Sequence, residues 1–156
     1  MDLRFLWLEI TGKCPLTCVH CYADSSPAGT HGSMTAPDWM RMIDEAAEIG
    51  VRLVQFIGGE PTGHKALPAL IGHALATGVK VEVYSNLVRV SDTMWKIFSQ
   101  PGVQLATSFC TDDARQHMLI TGRNTLSRTQ NNIVAVLERR IPLRVGMVRV
   151  LDDQRL

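Results

Sequence analysis

Three cysteines near the start of the chain have the spacing of ligands to one metal centre. Cys14, Cys18 and Cys21 are separated by three residues and then by two. Thiolates this close in sequence can bind the same centre, and three of them on a cubane iron-sulfur cluster leave one iron without a protein ligand. Such an iron is free to bind a substrate. The spacing therefore predicts an iron-sulfur site with one open position.

Other roles for these cysteines stay open at this point. A structural zinc site needs a fourth ligand, for which His20 and Cys110 are candidates, although neither belongs to a second paired motif. The three cysteines are also compatible with unrelated buried side chains. A disulfide is disfavoured, because disulfides need an oxidising compartment and the start of the sequence has no pattern of a secretory leader.

The composition predicts one soluble domain. The 156 residues are 46% hydrophobic, which is enough to build a core. A formal net charge of +1 gives no electrostatic reason to expect nucleic acid or an acidic membrane surface as a partner. No apolar run approaches the roughly 20 residues that a membrane-spanning helix needs. We therefore expect a cytoplasmic protein that binds neither nucleic acid nor a membrane.

Apolar runs alternate with helical patterns along the chain. The runs predict five buried strands, at residues 3–10, 51–57, 79–84, 103–107 and 143–150. The first helix is predicted to follow an N-cap at Thr35 and to stop at Gly50. Further helices are predicted at about residues 67–77, from Ser91 or Asp92 to before residue 101, and at about residues 126–139. Residues 110–124 are predicted to be irregular, with room for a short helical turn.

This alternation predicts a parallel α/β sheet or partial barrel. In such folds functional groups gather beyond the C-terminal ends of the strands. Four segments fall at such ends: the cysteine triplet after the first strand, residues 58–61 after the second, Ser85-Asn86 after the third and Ser108 after the fourth. We therefore expect these segments to share one rim.

The segments on this rim suit a polar ligand. Gly58 and Gly59 allow the backbone to turn sharply and to approach a ligand closely. Glu60 could accept hydrogen bonds from a ligand ammonium group, although an ordinary turn with an exposed glutamate fits the same residues. The short polar side chains at the other strand ends suit ligand hydroxyl or carboxylate groups, or local backbone groups.

The aromatic and imidazole rings divide into two groups. His20 and Tyr22 flank Cys21 and could pack against a purine or against the cluster. The remaining histidines have no metal-ligand spacing among themselves and are predicted to be surface or loop residues: His31, His64, His73 and His117.

Taken together, these motifs resemble those of the radical S-adenosylmethionine (radical SAM) superfamily. The resemblance rests on Cys14-x3-Cys18-x2-Cys21 and on Gly58-Gly59-Glu60-Pro61 at the end of the next strand. Residues 7–14 and 21–23, and His117 with Thr121-Gly122-Arg123, are similar to the branch that usually carries a C-terminal SPASM or twitch domain. Many members of that branch modify ribosomally made peptides.

The resemblance implies a (βα)6 TIM-like barrel, of which this chain contains about five parallel strands. Residues 1–156 would form a partial core domain that lacks the last strand-helix unit and any C-terminal auxiliary-cluster domain. Cys110 is the one cysteine outside the triplet, so no second cysteine cluster is present. We therefore expect a fragment, a truncated reading frame, or a chain that a partner chain completes.

The resemblance also implies the cofactors and their ligands. The cysteine triplet would hold a [4Fe-4S] cluster, whose fourth iron is chelated by the amino and carboxylate groups of S-adenosylmethionine. The cofactor-binding residues would be His20 near the adenine, Gly58, Gly59 and Glu60 at the methionine amino group, and Ser85, Asn86, Ser108 and Arg123 as further contacts.

The implied activity is reductive cleavage of S-adenosylmethionine to methionine and a 5'-deoxyadenosyl radical, which abstracts a hydrogen from the substrate. The substrate would be a ribosomally made peptide or a similar natural product. A flavodoxin- or ferredoxin-type protein would supply the electron. The alternative is a non-catalytic module that binds the cluster and S-adenosylmethionine or transfers electrons, and that needs a partner chain.

Overall fold

Five parallel strands form one sheet. In the computed structural model, which describes residues 3–155, the strands are β1 (Phe5–Thr11), β2 (Leu53–Gly58), β3 (Lys80–Tyr84), β4 (Val103–Ser108) and β5 (Leu143–Gly146). Their order across the sheet equals their order in the chain. Because crossovers between parallel strands are right-handed, this order places the connecting helices on the same face. The sheet is wound in one direction, as in the wall of a barrel, and this confirms the predicted α/β partial barrel.

The helices begin at residues suited to capping. Within residues 3–155 they are α1 (Ala36–Glu48), α2 (Leu67–Ala76), α3 (Asp92–Phe98), α4 (Ala114–Thr121) and α5 (Leu126–Glu138), and Pro61–Gly63 form a short 3-10 turn. Thr35 caps α1 reciprocally with Asp38, and Ser91 caps α3, which confirms both predicted starts. No helix in these residues is long and apolar enough to cross a bilayer. The cytoplasmic location stays a prediction.

The hydrophobic core lies between the sheet and the helices. Side chains from both layers meet there, and each of the following is at most 1% exposed: Ile43, Phe56, Leu70, Val81 and Phe98. Full burial of a side chain of this size contributes about 1.5–3 kcal/mol. The core holds the helices on one face and leaves the other face of the sheet available for a site.

The open face corrects the expectation that all five strands are buried on both sides. Along β1, Leu8 and Ile10 are buried, whereas Phe5 is 43% exposed and Trp7 is 47% exposed. The residues of β5 are also partly or fully exposed. The expectation is wrong for these two strands because the helices cover one face of the sheet, and both strands lie at its edges.

The last strand is shorter than predicted. Ser108, the last residue of β4, pairs with Gly146, the last residue of β5. Residues 147–150 were predicted to continue the strand, but β4 ends before it could pair with them. No strand within residues 3–155 pairs with the other edge of β5. This edge is exposed, as expected for an incomplete barrel.

Residues 110–124, predicted to be irregular, contain the regular helix α4. At its start the Asp113 carboxylate accepts a hydrogen bond from the Gln116 backbone N–H. At its end Gly122 adopts a left-handed conformation with a φ of 73°. The pattern was missed because the helix has only eight residues and its large apolar residues, Met118, Leu119 and Ile120, are consecutive rather than spaced along one face, so its period is weak.

A polar network crosses the open face in the middle of the sheet. The Glu82 carboxylate accepts hydrogen bonds from Gln55 in β2, from Gln104 in β4 (2.8 Å) and from Arg144 in β5 (2.7 Å). The strand register places Gln55, Glu82 and Gln104 side by side. Burial alone would raise the pKa of Glu82, but the hydrogen bonds hold that pKa below its ordinary value. The Arg144 guanidinium also lies 5.5 Å from the centre of the Tyr84 ring.

Arg144→Met tests this network. The pKa of Glu82 is lower in the folded state than in the unfolded state, where it is about 4.3. The ionised Glu82 carboxylate therefore stabilises the fold fully above the unfolded-state pKa. This stabilisation is lost as the pH falls through the folded-state pKa. At neutral pH the variant should lose about 1–3 kcal/mol of unfolding free energy, and the loss should shrink in acid. Denaturant unfolding across pH measures both. Arg128→Met, at an exposed position on α5, is the control, and equal curves for the two variants would contradict the network.

Candidate functional site

The cysteine triplet lies on a loop that crosses the C-terminal ends of the strands. This cysteine loop, residues 12–35, connects β1 to α1. Two backbone hydrogen bonds tie the segment after β2 to the end of β1 and to the start of the cysteine loop. The N–H of Gly59 donates to the Thr11 carbonyl (2.6 Å), and the N–H of Glu60 donates to the Lys13 carbonyl (2.8 Å). These bonds place the residue before Cys14 directly against the segment after β2.

Two glycines make this approach possible. Gly58 has a φ of +121°, and a Cβ atom there would lie 2.2 Å from the Thr11 carbonyl oxygen. At Gly59 a Cβ atom would lie 2.3 Å from the Lys13 carbonyl oxygen. A side chain at either position would push the two segments apart. The close approach that the glycines permit is therefore to the end of β1 and to the start of the cysteine loop, neighbours that the sequence did not identify.

The end of α4 holds the cysteine loop from the other side. The N–H of Thr17 donates to the Thr121 carbonyl (3.0 Å), and the N–H of Val19 donates to the Ile120 carbonyl (2.9 Å). A Cβ atom at Gly122 would lie 2.0 Å from the Thr17 hydroxyl oxygen, so glycine is required for this contact too. The cysteine loop is thus held between the segment after β2 and the C-terminus of α4.

One cavity of about 590 Å³ opens at this rim. The four segments that were predicted to share the rim all contribute to its wall. The predicted site residues that line it are Cys14, Cys18, Cys21, His20, Gly58, Gly59, Ser85, Asn86 and Ser108. Cys110 lines the same cavity. Its volume lies in the ordinary range for small-molecule and cofactor sites.

Burial favours the protonated form of two of the thiols that line this cavity, Cys14 and Cys18. Burial raises the pKa of Cys14, and burial together with the neighbouring Cys14 and Cys21 raises the pKa of Cys18 to about 11. Because metal ligands must be thiolates, cluster binding would have to displace these protons. Within residues 3–155 no three His, Cys, Asp or Glu side chains converge as ligands of a single metal ion would.

Glu60 is buried and fully occupied by neighbouring donors. Its carboxylate, on a residue that is 7% exposed, accepts hydrogen bonds from the Thr62 hydroxyl (2.7 Å), the Ser85 hydroxyl (2.8 Å) and the Asn86 N–H (2.7 Å). It also accepts one from the Thr62 N–H (3.1 Å). Burial raises the pKa of Glu60 despite these bonds. Its predicted contact with an amino group stays a prediction, and the contacts that the structure describes order the loop after β3.

Asn86 connects this loop to the cysteine loop. Its side-chain amide nitrogen lies 3.7 Å from the Cys14 sulfur and can donate to it, while its amide oxygen accepts from the Val88 N–H (2.9 Å). The Leu16 N–H also donates to the Cys14 sulfur (3.5 Å). Donors of this kind stabilise a thiolate and influence the reduction potential of a cluster that it binds.

His20 and Ser25 present unpartnered polar atoms at the cavity. Nδ1 of His20 and the Ser25 hydroxyl are buried without a hydrogen-bond partner in residues 3–155, and both side chains line the cavity. Burial lowers the pKa of His20 and so favours the neutral imidazole. Buried polar atoms cost free energy unless they are paired. Both atoms have almost no accessible surface, so a ligand in the cavity would reach them only after the side chains change conformation. Tyr22, the other ring beside Cys21, packs edge-on against Trp7 (5.7 Å between centroids).

The other predicted residues have different surroundings. The Ser108 hydroxyl lies 2.9 Å from the Tyr84 hydroxyl at the cavity wall. His117 was predicted to be a surface or loop residue, but it is 7% exposed, lines the cavity and is hydrogen-bonded to Thr125 (3.0 Å), because the unpredicted α4 buries it. Arg123 is exposed after α4 and lines none of the described cavities. Its predicted cofactor contact stays a prediction.

Several side chains at the cavity were missed as site residues. Ser25, Gln55, Tyr84 and Arg144 line it without having been predicted there. A signal for Gln55, Glu82 and Arg144 was present, since each is a polar residue between two apolar neighbours within a strand. Such residues point to the face opposite the packed helices. Ser25 had no comparable signal, because its position depends on the path of the cysteine loop.

Thiols, close-packed glycines and unpartnered polar atoms meet at the C-terminal rim of a sheet wound in one direction. This combination is that of an α/β partial-barrel protein with a thiol-lined cavity at its strand ends. The sequence model of the radical SAM superfamily matches residues 8–154. The chain belongs to the radical SAM superfamily, whose cofactors are a [4Fe-4S] cluster and S-adenosylmethionine.

Proteins of known name are similar to this chain in sequence or in fold. The chain is 33% identical over 144 residues to PqqA peptide cyclase of Xanthomonas axonopodis pv. citri (strain 306), which covers 90% of this chain and 38% of that protein. It is 30% identical over 159 residues to GTP 3',8-cyclase of Tolumonas auensis, covering 98% of this chain and 47% of that protein. Streptococcus suis SuiB bound to S-adenosylmethionine superposes with a TM-score of 0.86 at 20% identity, over 97% of this chain and 35% of SuiB. SuiB has also been solved bound to precursor peptide SuiA. The chain spans less than half the length of each of these proteins.

Gly59→Ala and Gly63→Ala form a matched pair of variants that tests the packing of the rim. The first would place a Cβ atom 2.3 Å from the Lys13 carbonyl oxygen, whereas a Cβ atom at Gly63 has no heavy atom within 4 Å. We expect Gly59→Ala to lose about 1–3 kcal/mol of unfolding free energy and Gly63→Ala to lose less than about 1 kcal/mol. Thermal and denaturant unfolding measure the difference. Equal stability of the two variants would contradict the close packing.

Proposed function

We propose that this chain is the catalytic core of a radical SAM enzyme that modifies a peptide. Cys14, Cys18 and Cys21 hold the [4Fe-4S] cluster, and the 590 Å³ cavity beside them takes S-adenosylmethionine and the reacting part of the substrate. The observation that carries this proposal is that the three thiols line one cavity together with the side chains of His20 and Ser25. No other described cavity contains the three thiols together.

Different residues around the cavity would contact different parts of S-adenosylmethionine. Gly58 and Gly59 expose backbone close to the cluster side of the cavity, where the methionine part of S-adenosylmethionine would lie. His20 offers a ring whose pKa is lowered by burial, and this neutral imidazole would pack against the adenine. Ser108 and Tyr84 place hydroxyl groups further along the wall. Glu60 acts mainly through Ser85 and Asn86, as a residue that positions the loop.

Once bound, the cluster and S-adenosylmethionine supply the radical chemistry, in which one electron cleaves the cofactor to methionine and a 5'-deoxyadenosyl radical that abstracts a substrate hydrogen. The chain itself orients the reactants and excludes water. Apolar side chains of the cavity wall serve the second task, and they include Leu16, Ile57 and Ile120, each at most 8% exposed. Excluding water prevents side reactions of a reactive intermediate.

The peptide substrate is supported by the relatives. One curated relative is a peptide cyclase, and SuiB has been solved with a precursor peptide. GTP 3',8-cyclase, at similar identity, is named for a nucleotide substrate, so the peptide assignment depends on the fold likeness as well as on sequence. A flavodoxin- or ferredoxin-type protein in the cytoplasm would provide the electron.

A second candidate function is that of a module completed by a partner chain. The observation that favours it is the unpaired outer edge of β5. Apolar side chains near that edge are exposed, with Val145 at 50% and Met147 at 55%. A partner strand would cover this edge and close the barrel further. In this case the isolated chain would bind the cofactors but would not complete the reaction.

Anaerobic reconstitution with iron and sulfide tests the proposal, with two cysteine variants as a matched pair. Cys18→Ala removes a proposed cluster ligand, whereas Cys110→Ala removes the cavity thiol that lies outside the triplet. After reduction by dithionite with S-adenosylmethionine, we expect 5'-deoxyadenosine from the wild type and from Cys110→Ala, and a loss of at least about a hundredfold in Cys18→Ala. Chromatography measures the product, and visible absorption measures the cluster.

The outcomes of this reconstitution distinguish the two candidate functions, a catalytic core and a module completed by a partner chain. A cluster that forms without 5'-deoxyadenosine would favour the module that needs a partner chain. Failure of the wild type to assemble any cluster would overturn the proposal. Loss of the cluster in Cys110→Ala but not in Cys18→Ala would overturn the assignment of the ligands.

A further inference from the structure

A second cavity, of about 630 Å³, shares Cys14 and Asn86 with the first. Its other walls come from the cysteine loop, from the segment after β2 and from the start of α3. Because Cys14 contributes to both cavities, it forms part of the wall between them. A protein bound at the second cavity would therefore lie beside a proposed cluster ligand without entering the first cavity.

The second cavity carries an excess of positive charge, since three basic side chains line it against the single carboxylate of Glu60. Lys13, Lys65 and Arg89 line it, and all three are exposed. None of them forms an ion pair with a carboxylate in residues 3–155. Glu60 is the acidic residue of the lining, but it is buried, and its carboxylate is occupied by donors of the protein. We refer to Lys13, Lys65 and Arg89 as the basic surface.

This concentration of charge is local rather than general. The chain has 16 basic and 15 acidic residues, so it is nearly neutral overall. The wall of the first cavity includes one arginine, Arg144, which is paired with Glu82. The basic surface therefore differs from the cavity that would take the cofactor, and its field would attract an anionic partner. Pro15 and Pro27 are exposed beside it and restrict the backbone there.

We propose that the basic surface docks an acidic electron-transfer protein, which reduces the cluster from the Cys14 side. The inference rests on the proposed function, since it requires the cluster. In this step the donor is oxidised by one electron and the cluster is reduced by one electron, and no covalent bond changes. Lys13 and Pro15, the neighbours of Cys14 in sequence, both line the second cavity. The docked protein would therefore lie close to the cluster.

A charged docking surface outside the first cavity affects both the rate of donor binding and the access of substrate. Complementary charges increase the rate of encounter at low ionic strength by about 10-fold to 1,000-fold. The screening length is about 10 Å at 0.1 M salt, so a donor guided by these charges should bind less well as salt is added. Since the first cavity stays free, substrate and donor can be bound at the same time.

Charge reversal tests the proposal with flavodoxin as the acidic probe. The test variant is Lys65→Glu with Arg89→Glu, and the control is Lys80→Glu with Arg128→Glu, which changes the net charge equally at exposed positions outside the cavity. Lys13 is left unchanged because it is adjacent in sequence to Cys14, a proposed cluster ligand. Calorimetry measures the dissociation constant of oxidised flavodoxin, and loss of visible absorption measures the rate at which reduced flavodoxin reduces the cluster.

At low ionic strength we expect the test variant to bind flavodoxin about tenfold or more weakly than the wild type and to be reduced more slowly by a similar factor. The control should stay within about threefold of the wild type, and added salt should reduce the difference. Equal binding by the two variants, or no binding of flavodoxin to the wild type, would overturn the proposal. Lys65→Gln with Arg89→Gln, a milder change, should show the same trend if the reversed charges disturb folding.

A small photoreduced deazaflavin separates this proposal from the proposed function. It needs no docking surface, so it should reduce the cluster of all variants at the same rate. Normal reduction by deazaflavin with equal flavodoxin binding in both variants would reject the docking surface and leave the enzyme assignment intact. Failure of deazaflavin to support S-adenosylmethionine cleavage in the wild type would instead reject the proposed function.

Discussion

The position of the cysteine loop depends on backbone hydrogen bonds from both sides. Gly59 and Glu60 bond to residues before Cys14, and the end of α4 bonds to Thr17 and Val19. Each contact needs a glycine at its closest point, because a side chain would occupy the space of the opposing segment. The loop has no regular secondary structure of its own in which to fix its thiols. Its geometry is therefore determined by the two elements that hold it, together with hydrogen bonds within the loop such as that from the Cys14 N–H to the Ser26 carbonyl (3.0 Å).

The same contacts connect the site to the sheet. The segment after β2 ends in Glu60, whose buried carboxylate orders Ser85 and Asn86 after β3, and Asn86 reaches the Cys14 sulfur. Strand order places β1, β2 and β3 side by side, so these three loops are neighbours at one rim. Winding in one direction also leaves the open face for a cavity. The fold thus places the thiols beside a space of the size that a cofactor requires.

Much of this arrangement could be predicted from the sequence. The five strands, four of the helices and the shared rim follow from apolar runs, caps and the rule for parallel strands. Helix α4 could not, because its short pattern depends on tertiary contacts such as those of His117 and Ile120. The role of Glu82 was also hidden, since its partners Gln55, Gln104 and Arg144 come together only through the register of four strands. Residues that act through distant neighbours carry little signal in a single sequence.

Amide hydrogen exchange in the cluster-free chain tests most directly whether the fold itself positions the cysteine loop. The relevant amides are those of Thr17, Val19, Gly59 and Glu60, which make the holding hydrogen bonds. The account predicts that they exchange slowly, at rates comparable to amides in the interior of β2 and β3. Exchange as fast as that of unprotected amides would contradict it, and would mean that the loop becomes ordered only when the cluster binds.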